Sequence, residues 1–243
     1  MQFRMELFFR VVMDVIFYSV FLGFYQVLYS HTALIGGWNR DQAFVFISGF
    51  LIVDALQMTF FADMYHYFQS LCRDGSLDYY LTKPISSWFF AGFRYINFGS
   101  LLNVGIAIAL WSWAIFQMKS EVSWQSILVY AVLLMASAFL YFLVIFALLM
   151  SLFWTESAEG PLSLYFECVN FASRPHHIFK GPIKALLLTM MPFSVFASIP
   201  AQAFFDDIGW LSVMHVFGVV AFFLGLNFWL WDRGLRRYGS AMG

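Results

Sequence analysis

Few residues in this chain of 243 are able to do chemistry, and most of them lie inside long apolar runs. Asp54 sits near the middle of one run, where an ionised carboxylate costs on the order of 2.5–3.5 kcal/mol on insertion scales, so it is expected to face a bundle interior or a cavity. Gln57 and Phe61 continue its face at helical spacing, Asn97, Ser100 and Asn103 form a second polar stripe, and Asn227 lies in the last apolar run. The six polar residues Asp54, Gln57, Asn97, Ser100, Asn103 and Asn227 are candidate pathway-lining or bundle-interior positions. For the amides and the serine, interhelical hydrogen bonding is the commoner use. Asp14, a turn into the first run, is expected to bond Arg10 four residues back near the inner boundary and is given no function.

Two groupings have the residue types of metal ligands, Asp63-x-x-His66 on one helix face and His176–His177 with Glu167. Neither has the second spaced pair that zinc sites use, so no metal site is expected. No catalytic constellation converges on one depth, and no nucleic-acid partner is expected.

The elements that must position these residues are membrane helices. The chain is 62% hydrophobic, 22% aromatic and only 11% charged, whereas soluble domains are about 25% charged. Mean hydropathy is +0.76, so lipid is its main solvent. Six runs are long enough to span as helices, near Val11–Tyr29, Ala43–Ala62, Gly99–Gln117, Ile127–Phe153, Ile183–Phe204 and Trp210–Trp231. Continuous runs of this length exclude barrel strands, which alternate over about 10 residues. The predicted fold class is an all-α integral membrane protein, one six-span domain over residues 1–243 without an internal repeat.

With both termini placed in the cytoplasm, the inside segments hold Arg4, Arg10, Arg73, Lys83, Arg94, Arg174, Lys180, Lys184, Arg233, Arg236 and Arg237, leaving only Arg40 and Lys119 outside. That bias fixes the orientation. Trp38, Trp124 and Trp210 then fall at outer span edges and Trp88, Trp154, Trp229 and Trp231 at inner ones, as aromatic girdles do. The first ten residues lack the pattern of a cleaved signal peptide. Cys72 and Cys168 both face the cytoplasm in this frame, where thiols stay reduced.

Between the second and third runs stands CRDGSLDYYLTKP, residues 72–84. Asp74 or Ser76 can cap a helix start, Leu77, Tyr80 and Leu81 fall at i, i+3 and i+4, and Pro84 stops the helix. A short amphipathic helix across the inner mouth of the bundle is predicted. Residues 155–181 are read as a further interfacial helix, apolar in LSLYFECVNF and polar at both ends. In the fifth run Pro192 and Pro200 each remove a backbone donor and are candidate kinks.

The string RDGSLDYYLTKP resembles the signature of permease subunits in the type-2 family of ATP-binding-cassette (ABC) transporters, the subgroup with G-x-L-D-x-x-L-x-K-P after the second span. LIGGWNRDQ, FASRPHHIFKGPIKALLLTMMPFSVFASIPA and LWDRGLRRYGSAMG, the last with the subgroup's GLRRY-x-SA, are similar to it in the same order. The resemblance implies a coupling helix that docks in a groove of an ATP-binding subunit, Leu77, Tyr80 and Leu81 filling the groove and Arg73, Asp74, Asp78 and Lys83 forming the rim, with Gly75 and Pro84 framing it. It also implies a bacterial inner-membrane exporter with two copies of the ATP-binding subunit and a second permease, identical or homologous. A phosphate-binding loop ends in Gly-Lys-Ser/Thr, and this chain has no Gly-Lys dipeptide. ATP and magnesium are therefore expected on the partner, with no cofactor or catalytic residue here. The rival reading is an ion-coupled transporter or channel using Asp54.

Overall fold

A computed structural model describes residues 2–35, 37–118, 122–155, 157–172, 181, 193–205 and 210–238. Among them the regular structure is helical, with one isolated bridge between Ile35 and Trp38. The α-helices are α1 (Gln2–His31), α2 (Arg40–Phe60), α3 (Met64–Arg73), α4 (Leu77–Leu81), α5 (Ser87–Phe93), α6 (Leu101–Gln117), α7 (Trp124–Leu149), α8 (Glu159–Ala172), α9 (Phe193–Phe205) and α10 (Trp210–Leu235).

Five segments among these residues are long and apolar enough to cross a membrane: Val11–His31, Arg40–Phe60, Phe98–Gln117, Trp124–Phe153 and Trp210–Leu235. They coincide with five of the six predicted spans. The predicted span Ile183–Phe204 is described only from Phe193, so Lys184 and the candidate kink Pro192 lie outside the described residues. Pro200 lies inside α9. Of the 155–181 segment, α8 is described and packs on α7 and α9, while Arg174, His176, His177 and Lys180 lie outside.

Helix α2 is the hub, packing against α6, α9, α7 and α1. Its sequence explains the role, since residues 43–53 are buried throughout and can be apolar all round because protein surrounds them. Its start is fixed by a capping box, with Asn39 Oδ1 accepting from the Gln42 amide at 2.9 Å and Gln42 Oε1 accepting from the Asn39 amide at 3.0 Å. Helix α7 is the second core helix, and α9 and α10 pack on it. By contrast α1 exposes most of its apolar side chains, including Met13, Phe17, Val20 and Phe24. Lipid or another chain must cover that surface.

The tryptophans divide in a way that differs from the girdle expectation. Trp124, Trp154, Trp210 and Trp229 are exposed at helix ends, but Trp38, Trp88 and Trp231 are buried. Trp38 packs on Phe46 and Phe205 with ring centroids 5.3 and 6.2 Å apart. At a span edge, neighbouring helices can claim an aromatic ring that lipid would otherwise hold.

Candidate functional site

The segment after α2 folds into a compact three-helix platform. Helix α3 is amphipathic: Met64, Phe68 and Leu71, spaced i, i+4 and i+7, are buried, while Tyr67, Ser70 and Arg73 face outward. The chain then reverses at Gly75, whose φ of 68° lies in the left-handed region that favours glycine. Helix α4 follows at once, with Ser76 at its N-cap position making no side-chain cap bond. Helix α5 is capped by Ser86, whose Oγ accepts from the Phe89 amide at 3.4 Å.

Sidedness of α4 differs from the sequence expectation. Leu77 is 0% exposed, turned into its own chain. Tyr80 is half-buried, stacked on Phe90 with centroids 4.6 Å apart and carrying the Arg94 guanidinium 5.0 Å above its ring. The outward residues are Tyr79 (62% exposed), Leu81 (39%) and Ile85 (52%), with Thr82, Lys83 and Pro84 exposed among them. Lys83 Nζ lies 4.2 Å from the centre of the Tyr79 ring, and the ammonium holds that phenol below its usual range. Arg73 and Asp74 are exposed and Asp78 is half-buried.

The platform is wired to the bundle at several points. Gln57 Nε2 donates to the Tyr65 hydroxyl, joining α2 to α3, and the Asn97 amide donates to the Thr59 carbonyl at 2.8 Å. Phe68 is fully buried among Phe146, Phe153 and Trp231 at centroid distances of 5.3, 5.8 and 6.1 Å. Trp231 Nε1 donates to Ser87 Oγ at 3.3 Å. Beyond α10, Tyr238 packs edge-on to Phe153 at 6.2 Å. Burial raises its phenol above the ordinary value, and the nearby Asp78 carboxylate and Cys72 add to the effect. Two sequence motifs, one at 72–84 and one ending the chain, thus meet in space. Gly234 permits the close approach of α10 to Phe153, because a Cβ there would lie 2.1 Å from the Phe153 ring.

The polar residues within the spans form one cluster and one isolated clasp. Asn103 Nδ2 on α6 donates to Asp14 Oδ2 on α1 at 2.7 Å. Asp54 is half-buried on α2, within electrostatic reach of Asp14 and of the phenols of Tyr18, Tyr65 and Tyr141. Asn103 Oδ1 and Gln57 Oε1 are buried acceptors without a hydrogen-bond partner among the described residues. Asp14 therefore belongs to the site, which the sequence reading missed; the Arg10 side chain, its expected partner, lies outside the description. Its one legible signal was a carboxylate at span depth. Ser100 is buried beside this group, its amide donating to the Asn97 carbonyl at 3.0 Å. Asn227 stands apart, with Nδ2 donating to the Leu143 and Phe223 carbonyls at 2.9 and 2.8 Å and clasping α10 to α7.

Among the described residues no group of three or more His, Cys, Asp or Glu is arranged to hold a metal ion. Comparison with curated proteins and with solved structures gives no match. The family model described as ABC-2 family transporter protein matches residues 15–242. That match takes in the platform, the polar cluster apart from Asp14 and nearly all of the span set, and the chain therefore belongs to the ABC-2 transporter family as a multi-pass membrane permease.

Proposed function

We propose that this chain is the permease subunit of an ATP-driven exporter in a bacterial inner membrane, of the subgroup marked by the 72–84 motif. It is one domain of six spans with both termini cytoplasmic. It pairs with a second permease, identical or homologous, and with two copies of a separate ATP-binding subunit that carries ATP and magnesium.

The observation that carries this reading is the exposed apolar edge of the platform, Tyr79, Leu81 and Ile85, held out by an inward Leu77 and flanked by Lys83. Such an edge with a charged rim has the make-up of a small docking surface. Leu77 acts as the root of the docking helix, and Tyr80 braces it against α5. Closure of the ATP-binding pair pushes on α4. The push passes through Tyr65–Gln57 to α2, through Asn97–Thr59 to α6, and through Phe68 and Tyr238 to the end of α10. Asp14, Asp54 and Asn103 sit between the helices so moved and are the polar surface that the translocation pathway would meet.

The test is purification of the chain from native membranes in a gentle detergent, with mass spectrometry and an ATPase assay on the eluate. Recovery of a phosphate-loop ATPase with vanadate-sensitive turnover is expected. An eluate of this chain alone across several detergents would overturn the reading.

A further inference from the structure

Where α7 and α10 both end, the chain forms an open recess of about 620 Å³ lined by Trp154, Trp229, Leu230, Arg233, Arg236 and Arg237. Trp154 directly follows the span Trp124–Phe153, and Arg236 and Arg237 directly follow the span Trp210–Leu235. The recess therefore sits at a membrane–water boundary. Both tryptophan rings are exposed, at 40% and 54%, at the depth where indoles meet lipid headgroups. The Arg233 guanidinium stacks over Trp229, 5.1 Å from the ring centre, which fixes one cation in the recess. Asp232 engages Arg236 at 2.8 Å. Among the described residues, two of the three guanidinium groups thus face the recess without that neutralisation.

We infer that this recess is a binding site for the phosphate-bearing headgroup of an anionic phospholipid. Guanidinium groups match phosphate oxygens in bidentate geometry. The two indole rings and Leu230 supply a surface for the glycerol and the first acyl carbons. On the orientation proposed above, the recess opens to the cytoplasmic leaflet, where anionic lipids are enriched. The inference does not depend on the ATPase partner, since its ligand is the surrounding bilayer. It also gives the basic end of the chain a second use beside setting topology.

The experiment compares lipids retained by the purified full chain in native mass spectrometry after reconstitution in mixed phosphatidylglycerol and phosphatidylcholine. The wild type is expected to keep one phosphatidylglycerol under activation that strips phosphatidylcholine. Arg233→Gln with Arg237→Gln is expected to weaken that retention roughly 30-fold, and Arg237→Gln alone, on an exposed side chain past the helix end, roughly 5-fold. A charge-matched control on the same side of the membrane, Arg4→Gln with Arg10→Gln, should retain lipid as the wild type does. Equal retention in wild type and both recess variants would overturn the inference, and so would equal loss in the control, which would mean diffuse attraction. Displacement of the lipid by millimolar inorganic phosphate would show a free-anion site instead. Unchanged lipid retention with loss of the ATP-binding subunit in the recess variants would assign the recess to protein docking.

Discussion

Asn103 on α6 donates its amide to the carboxylate of Asp14 on α1 at 2.7 Å, so a hydrogen bond between residues 89 apart in sequence ties the least buried of the five spans to the bundle. Bonds of this kind between membrane helices contribute about 1 kcal/mol, and more where one partner is charged. Asn103→Ala is expected to lower stability by about 1–2 kcal/mol in detergent unfolding. A double-mutant cycle with Asp14→Ala should return a coupling of about 1 kcal/mol. Additive single effects would mean the bond does not hold α1 in place.

At the other end of the bundle the constraint is steric. A Cβ at Gly234 would meet the Phe153 ring at 2.1 Å. Gly234→Ala should therefore destabilise by about 1–3 kcal/mol despite the better helix propensity of alanine. In a Phe153→Ala background the same change should become neutral or stabilising by up to about 1 kcal/mol. Unfolding midpoints of the four proteins decide it.

Cys72 gives a pH-dependent prediction. Burial pushes its thiol from an ordinary 9.0 up to about 12. Below pH 9 both folded and unfolded chains keep the proton, and the group adds no pH dependence. Between about 9 and 12 the unfolded thiol ionises while the folded one does not, so stability falls as pH rises, by at most about 1.4 kcal/mol per pH unit. Cys72→Ser should flatten the slope of stability against pH in that window. Maleimide labelling of Cys72 in the folded chain at pH 8 should be much slower than after unfolding, and equal rates would contradict its burial.

Much of the fold is legible in the sequence because lipid imposes it: five predicted spans match apolar helices within a few residues at their ends. Within the platform only the short helix of residues 72–84 was legible, since its glycine, apolar spacing and proline each act locally, whereas α3 and α5 on either side of it were not read from the sequence. The sidedness of α4 was not. Leu77, Tyr80 and Leu81 share one helical stripe, and only tertiary packing decides that Leu77 turns inward while Leu81 stays out. The Asp14–Asn103 pairing was hidden for a similar reason, because nothing local marks which distant amide a carboxylate will meet. Trp38 follows the same rule, its place just before the second span being legible and its burial not, and Trp88, expected at an inner span edge, lies on α5 and is buried against Phe142, Phe146 and Phe228.

That sidedness separates two kinds of variant. Leu77→Ala removes a fully buried side chain and should cost about 2–5 kcal/mol of stability, with partner binding falling only as the platform unfolds. Changes at Leu81 should leave stability within about 0.5 kcal/mol, as exposed positions do. Parallel unfolding and partner-binding curves for the two variants give the comparison.

The central claim, that a separate ATP-binding subunit docks on the outward edge of α4, is tested most directly by co-purification of Tyr79→Asp with Leu81→Asp from native membranes. The account predicts normal insertion and stability with loss of the ATP-binding subunit from the eluate. A doubly substituted chain that still holds that subunit stoichiometrically, with ATPase turnover equal to wild type, would contradict it.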